Sequence, residues 1–302
     1  MGIKFDENCS NQNEGMVNPG ESDKTSNPPE EDEIILKSGG DGFKISAPGQ
    51  TGKIVKFTER ALGKYQLEKF YKGLEQLGIT CSETQMGQFL TFYEMLIEKN
   101  KVMNLTSITE WEDAVEKHFL DSLSLIKCMD LNKKIRVLDL GTGAGFPGIP
   151  LKIVFPELEL VLVDSLNKRI LFIKDVLEEL QLDGITAVHG RAEDLAVKKE
   201  YREKFGLCVS RAVANLSALA EYCLPFVKIG GNFISYKSGE IEEEAAQAKK
   251  AISVLGGTVS KIEKFTLPGT DVSRAFIQIE KKKKTPKGYP RKAGTPLKHP
   301  IQ

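Results

Sequence analysis

The sequence predicts an α/β protein with a doubly wound, mainly parallel sheet of seven strands and a helical cap in front of it. Short apolar runs alternate with helical repeats from about residue 136 onward. This alternation is typical of a parallel sheet covered by helices on both faces. The last two predicted strands, 258–265 and 274–280, have no helix between them, so we expect them to pair antiparallel.

Changes in composition divide the 302 residues into four regions. Residues 1–57 are acidic and poor in large apolar side chains, and we expect them to be disordered because they bury too little surface to offset the entropy of ordering. Residues 58–134 should form the helical cap and residues 135–280 the sheet domain. Residues 281–302 are a basic tail with eight Lys or Arg and no Asp or Glu.

Helical spacing of apolar side chains defines the cap. A first helix is expected from about Thr58 to Gly78. Two capping-box patterns, in which Ser or Thr is followed three residues later by Gln or Glu, should begin the second and third helices. They are Ser82 with Gln85, and Thr109 with Glu112.

The remaining strands and helices follow from the alternation in the sheet domain. Five strands should precede the final pair, at 136–140, 158–164, 185–189, 206–210 and 232–237. Helices are expected from about 148, over 167–181, after 210 to about 227, and after 237 to about 255.

Composition also limits the functional classes. No stretch approaches the roughly 20 consecutive apolar residues of a membrane helix, and we see no secretory signal, so we expect a cytoplasmic protein. The five cysteines form no C-x-x-C pair, which predicts free thiols and no metal site. Although the formal net charge is zero, the positive excess lies in the tail. We interpret the tail as an arm for a polyanion; a solubilising tail is the alternative.

The strongest chemical signal is the glycine-rich turn in Val137-Leu-Asp-Leu-Gly-Thr-Gly-Ala-Gly-Phe146. Gly141 and Gly143 let the backbone approach a ligand, and the helix that follows points its N-terminus at the same place. Asp164 ends the second strand 23 residues after Gly141, where a carboxylate can accept hydrogen bonds from both ribose hydroxyls. The pattern predicts a pocket for an adenosine-bearing cofactor; a tight turn without a ligand is the alternative.

The glycine spacing distinguishes between cofactors. A dinucleotide fingerprint is G-x-G-x-x-G, but Phe146 occupies the third glycine position here. This favours S-adenosylmethionine over NAD. Asp139 is placed either to bond a ligand amine or to hold the turn. After the third strand, Ala192 and Glu193 are candidates for contacts with the adenine, with a helix-capping turn as the alternative.

Several longer motifs are more specific than the turn. They are Gly141-Thr-Gly-Ala-Gly-Phe-Pro-Gly-Ile-Pro150, Asp164-Ser165 with Lys168-Arg169, Ser210-Arg211-Ala212, Asn104-Leu105-Thr106, His118-Phe119-Leu120-Asp121-Ser122 and Tyr289-Pro-Arg-Lys-Ala-Gly-Thr-Pro296. Over roughly residues 65–302 the chain resembles the bacterial small-subunit (16S) ribosomal RNA guanine-N7 methyltransferases, the methyltransferase G type first named glucose-inhibited division protein B. The resemblance implies a Rossmann-like class I methyltransferase fold, S-adenosyl-L-methionine as the methyl donor, and a role in rRNA processing through rRNA methylation.

The resemblance also implies which residues contact the cofactor. They are Gly141, Phe146, Ala192, Glu193 and Arg211. Gly143 and Asp164 join this set independently of the resemblance, because they form the predicted turn and ribose contact. The implied partner is small-subunit rRNA, as free RNA, an assembly intermediate or the finished subunit, and a monomer is compatible with the sequence.

The implied chemistry needs no catalytic base, because guanine N7 already carries an in-plane lone pair. Catalysis should then be positioning. We interpret His118 as a hydrogen-bonding residue between cap and sheet. An Arg that grips O6 and N7 together would block the nucleophile, so Arg211 should contact the cofactor, O6 or a phosphate. Lys237 is a second candidate for holding RNA, with a solvated strand end as the alternative.

Three other functions compete with this interpretation. They are a small-molecule methyltransferase of the same fold, an NAD-dependent dehydrogenase, and an RNA-binding module with a vestigial cofactor site. Transfer of a labelled methyl group to RNA or to metabolites would distinguish them.

Overall fold

The computed structural model describes residues 63–211, 214–239 and 241–302. The predicted extension 1–57 and the first five residues of the predicted cap lie outside the described residues. No helix in these described ranges is long and apolar enough to cross a membrane.

Seven strands form one sheet in the order β3-β2-β1-β4-β5-β7-β6. The strands are β1 (Arg136–Leu140), β2 (Glu159–Asp164), β3 (Ile185–His189), β4 (Phe205–Ser210), β5 (Val227–Lys237), β6 (Gly257–Thr266) and β7 (Ser273–Lys281). The first five are parallel, whereas β7 pairs antiparallel with both β5 and β6. This confirms the predicted fold class, including the final antiparallel pair.

The strand order reverses between β1 and β4, so their connections lie on opposite faces of the sheet. In open α/β sheets a crevice forms at such a point, outside the carboxyl ends of the strands. Because β7 runs antiparallel, its first residues also reach this edge: Ala275 lies opposite Lys237. The edge therefore collects residues from β1 to β5 and from the start of β7.

Helices cover both faces of the sheet. They are α1 (Glu68–Gln76), α2 (Glu83–Met103), α3 (Trp111–Ala114), α4 (Asp121–Leu123), α5 (Gly148–Val154), α6 (Asn167–Glu179), α7 (Ala192–Leu195), α8 (Leu216–Cys223), α9 (Glu242–Val254) and α10 (Thr295–Lys298). α2 begins with the predicted capping box: the Ser82 hydroxyl accepts from the Gln85 N–H, and the Gln85 side chain accepts from the Ser82 N–H. The helix predicted from Thr58 begins only at Glu68 among the described residues.

The second predicted capping box is wrong. Glu110 is the N-cap of α3 and makes no side-chain cap bond, and the Thr109 hydroxyl points instead at the Glu110 carboxylate. Burial of Trp111 positions this helix start, because its indole N–H donates to the Gln66 carbonyl at 2.9 Å. Tertiary packing thus replaces the local cap.

A π-helical segment, Val115–Leu120, joins α3 to α4, and a 3-10 turn, Ser124–Lys127, follows α4. A π-helix has a wider turn than an α-helix, and such segments occur frequently at functional sites. This one carries His118 and leads directly into Asp121. Both side chains are buried at the junction of cap and sheet.

The interpretation of the basic tail as an arm assumed that the tail is fixed at one end only. The structure shows instead that the tail packs on the body. Lys281 is fully buried, and its Nζ donates to the Leu224 carbonyl. Farther along, Arg291 makes a two-pronged ion pair with buried Glu221 on α8. The tail packs on the body in part because the half-buried Arg291 compensates the desolvation of the fully buried Glu221 carboxylate.

Candidate functional site

The glycine-rich turn is pinned to the neighbouring strand. The N–H groups of Gly141 and Thr142 both donate to the Val163 carbonyl, at 2.9 and 3.1 Å. Gly143 has φ +64°, and a Cβ there would meet no atom within 4 Å. The turn at Gly143 therefore faces open space, as a ligand-binding turn should. Gly145 serves packing instead, because a Cβ would lie 2.4 Å from Ile149 Cδ1.

Asp139 stabilises the glycine-rich turn through hydrogen bonds. Its Oδ2 accepts from the Thr142 hydroxyl at 2.7 Å and from the Gly148 N–H at 2.8 Å. Its Oδ1 has no hydrogen-bond partner among the described residues. Burial raises the pKa of the Asp139 carboxyl to about 6, although the bonds from Thr142 and Gly148 oppose the shift. Of the two roles open to Asp139, the geometry supports holding the turn.

Asp164 links the turn to the end of β2. Its Oδ2 accepts from the Gly143 N–H at 3.0 Å and from Arg169 at 3.2 Å, and its Oδ1 accepts from the Leu166 N–H at 2.9 Å. A carboxylate offers about four acceptor positions, so three are occupied. One position remains on Oδ1. In this arrangement the side chain can serve one ribose hydroxyl, rather than the expected two.

The loop after β3 meets both Asp164 and the tail. Gly190 N–H donates to the Asp164 carbonyl at 3.1 Å, which places the following α7 beside the turn. Ala192 and Glu193 are the first two residues of α7 and are half-buried. Glu193 Oε1 accepts from the Gly294 N–H of the tail at 3.0 Å.

Arg211 follows β4 and is fixed from the cap. Its Nη1 donates to Asp121 Oδ2 at 2.9 Å and to the Lys117 carbonyl at 3.0 Å. Its guanidinium lies over the ring of Phe146, 5.2 Å from the centroid. Phe146 is only 4% exposed, so its side chain forms the wall behind the turn. The cofactor contact that the resemblance implies at Phe146 would therefore be made by the Phe146 backbone.

His118 connects cap and sheet, in agreement with its interpretation as a hydrogen-bonding residue. Its ring stacks on Phe146 at 4.4 Å, and its Nε2 lies 2.8 Å from the Thr106 hydroxyl. Burial, reinforced by the charge of Arg211, lowers the pKa of His118 to about 3. The imidazole is therefore neutral near pH 7. Nδ1 faces Arg211 Nη2, so the ring proton belongs on Nε2, where it is donated to Thr106.

Asp121 bridges two arginines. Its Oδ2 accepts from Arg211, and its Oδ1 accepts from Nε of Arg274 at 3.0 Å. Asp121 is 3% exposed, so both carboxylate oxygens are committed to these cations in a protected environment. Sequence reasoning missed Arg274. The signal that could have found it was the antiparallel direction of β7, which returns Arg274 to the carboxyl edge of the parallel strands.

Lys237, the second candidate for holding RNA, is not a free cation. Its Nζ donates to Glu244 at 2.7 Å and to the Ala214 carbonyl at 3.0 Å, and its side chain is 10% exposed. It is not a solvated strand end either. Lys237 and Glu244 instead form one wall of a cleft of about 570 Å³. Other lining residues of this cleft are His118, Asp121, Arg211, Asn215, Tyr236 and Arg274.

The cleft and the turn share Arg211 and lie side by side on one edge of the sheet. This arrangement suits a cofactor at the turn and a second reactant in the cleft. The part of the chain that the structure describes contains no group of three or more His, Cys, Asp or Glu side chains placed to hold a metal ion.

Comparison with known proteins identifies the family. Residues 85–277 match the family model GidB, described as rRNA small subunit methyltransferase G. The chain belongs to this family. A protein of Lachnoclostridium phytofermentans named ribosomal RNA small subunit methyltransferase G is 53% identical over 232 residues, which cover 77% of this chain and 96% of that protein.

Other members of the methyltransferase G family support the assignment. A protein of the same name from Alkaliphilus metalliredigens is 50% identical, with 76% of this chain and 96% of that protein covered. A Bacillus pumilus relative is 50% identical, with 78% and 99% covered. The resemblance found in the sequence is thus confirmed, and the chain is an enzyme of a methyltransferase family. The small-molecule alternative is not favoured.

Proposed function

We propose that this enzyme transfers the methyl group of S-adenosyl-L-methionine to N7 of a guanine in 16S rRNA, in the cytoplasm. Family membership and the names of the relatives support RNA as the substrate. The resemblance implies N7 as the methylated position, and the hydrogen bonds and ion pairs that the cleft residues already make support it.

The cofactor site would be built on the turn. The open space at Gly143 and the remaining acceptor position on Asp164 fit the nucleoside, with Gly141 supplying backbone close to it. Ala192 and Glu193 would border the adenine, and Arg211 the side of the pocket that faces the cleft. S-adenosylmethionine supplies an electrophilic methyl group on a sulfonium.

The observation that carries the proposal is that the titratable groups of the cleft named above are already engaged. His118 is neutral and uses both ring nitrogens, and Asp121 uses both oxygens on arginines. Lys237 is paired with Glu244. Such a cleft is poorly equipped to remove a proton, whereas an acceptor with a free lone pair needs no proton removed. Guanine N7 is such an acceptor, and the enzyme's contribution is then orientation.

Asp121 sets the geometry for this orientation. It holds two guanidinium groups at one place, and Arg274 Nη2 has no hydrogen-bond partner within the described ranges. We assign these cations to O6 of the guanine or to a flanking phosphate, because an arginine on N7 itself would block the reaction. N7 faces the deep, narrow major groove of A-form RNA, so the target base must be unpaired or extruded.

The test is transfer of tritium from labelled S-adenosylmethionine to three acceptors: naked 16S rRNA, 30S subunits and a metabolite extract. The position of the label is then mapped by borohydride reduction and aniline cleavage, which cuts RNA at N7-methylguanosine. We expect label in RNA at one guanine, and less label with Asp164→Ala when S-adenosylmethionine is subsaturating. Label confined to metabolites, or RNA label that resists aniline cleavage, would overturn the assignment.

A further inference from the structure

The basic tail, residues 281–302, returns to the cofactor edge of the sheet. β7 runs antiparallel to β5, so Lys281 leaves the sheet at the edge opposite the glycine-rich turn. From there the chain follows α8, and Pro300 lies in a groove that also includes Asn215, at the start of α8. The tail therefore spans the depth of the domain and ends beside the site.

Charged groups anchor the tail along this path. Lys281 is fully buried at the start. Arg202 donates to three carbonyls of the tail, those of Thr285, Pro286 and Tyr289. Arg291 then contacts Glu221, whose carboxylate is fully buried and also accepts the Arg291 N–H at 2.8 Å. Anchors of this kind define one docked position, since undocking would leave buried charges without partners.

The last anchor reaches the site itself. Three residues after Arg291, the Gly294 N–H donates to Glu193 Oε1, and Thr295 N–H closes the turn onto the Lys292 carbonyl at 3.0 Å. Glu193 Oε2 has no hydrogen-bond partner in the described part of the chain. A carboxylate held by one oxygen presents the other in a fixed direction, which reduces the entropy lost when a ligand binds.

We propose that the docked tail is a wall of the cofactor pocket, in which Arg291 and Gly294 position Glu193 to accept the 6-amine of the cofactor's adenine. Tail docking and cofactor binding are then coupled, and each stabilises the other by the same factor. This inference rests on the proposed function, because it takes S-adenosylmethionine as the ligand of the turn.

The experiment uses the full chain and two ligands, S-adenosylhomocysteine and S-inosylhomocysteine, which has a carbonyl in place of the 6-amine. We expect Arg291→Ala to weaken S-adenosylhomocysteine at least about fivefold, the lower end of common coupling factors, and S-inosylhomocysteine much less. In steady-state methylation, KM for S-adenosylmethionine should rise with kcat unchanged, because the adenine contact is equal in ground and transition states. Arg291→Lys should recover part of the affinity.

Lys292→Ala is the matched control for the two ligand-binding measurements, which contain no RNA, since Lys292 is an exposed neighbour. A second measurement needs no substitution: S-adenosylhomocysteine should slow hydrogen exchange of the wild-type amides in 291–298 by a similar factor. If the Arg291 variants do not fold, this measurement alone tests whether tail docking and cofactor binding are coupled.

The outcomes separate the two proposals. If the wild-type chain binds no S-adenosylhomocysteine, the proposed cofactor is wrong. If it binds, but Arg291→Ala weakens both ligands equally or neither, and exchange over 291–298 is unaffected by the ligand, the tail is not a wall of the pocket and the cofactor assignment stands.

Discussion

Mild acid should destabilise the fold through His118. Burial and Arg211 lower the folded-state pKa of His118 to about 3, against about 6.5 in an unfolded chain. Below pH 6.5 the unfolded chain therefore takes up a proton that the folded chain does not bind. The stability contributed by the neutral ring is complete above pH 6.5 and declines as the pH falls toward 3. At pH 5 the loss is about 2 kcal/mol.

The measurement is urea unfolding of the wild-type chain and of His118→Asn at pH 7.5, 6 and 5. The asparagine oxygen can replace Nδ1 as the acceptor for Arg211, but it does not titrate. The stability advantage of the wild type should therefore shrink by about 2 kcal/mol between pH 7.5 and 5. Asp139 acts with the opposite sign, because its pKa is raised to about 6 and its carboxyl is better tolerated as the pH falls. It is present in both chains and cancels in the difference.

The exposed His299, changed to Asn, is the matched control for His118→Asn. A wild-type advantage that stays constant to within about 0.5 kcal/mol from pH 7.5 to 5, well below the linkage estimate, would refute the assignment of a neutral, buried His118.

Three further predictions concern the site and the tail. Gly143→Val fills the open side of the turn, and Asp164→Ala removes an acceptor whose charged hydrogen bonds are typically worth about 1.5–3 kcal/mol. Both substitutions should therefore raise the Kd for S-adenosylmethionine at least about tenfold in calorimetric titration. Unchanged affinity in both folded variants would rule the pocket out. Arg274→Ala should lower single-turnover methylation of 30S subunits at least about tenfold while cofactor affinity stays the same, because a lost charged contact is worth over 1.4 kcal/mol; an unchanged rate would remove Arg274 from the acceptor site. Replacing three exposed tail lysines by Gln should reduce the slope of log K for RNA binding against log salt by about 2, at about 0.7 per phosphate contact, and an unchanged slope would show that the tail lysines do not contact RNA. These lysines are Lys287, Lys292 and Lys298.

The sheet domain was predictable because its signals are local. A strand, a glycine turn and a helix start follow one another within Val137–Gly148, so the residue pattern that predicts them lies within a few residues along the chain. Parallel pairing then brings Asp164 and the loop after β3 to the same edge, whatever the rest of the chain does. The predicted capping box at Ser82 formed for the same reason, since both of its partners lie within one turn.

The partners of the charged side chains were not predictable, because they lie far apart in sequence. Arg211 meets Asp121 across 90 residues, and Arg274 meets it across 153. The sequence left Lys237 as a solvated strand end or an RNA contact, yet Glu244 neutralises it. A residue's charge can be read from the sequence, whereas its availability depends on which opposite charge the fold places beside it.

In the proposed reaction, the charged residues that attract RNA differ from those that orient the target base. In the cleft, Arg211 and Arg274 bring two positive charges and Asp121 removes one, while Lys237 is paired with Glu244 and Lys117 with Asp113. One net positive charge suits a single O6 or phosphate contact but attracts a polyanion only weakly. Of the eight basic residues in the tail, three are in ion pairs with Glu203, Glu280 and Glu221, which leaves five for RNA. Affinity for the ribosomal subunit should therefore depend on salt through these surface lysines, whereas the methylation rate at saturating RNA should depend on the bridged arginines and very little on salt.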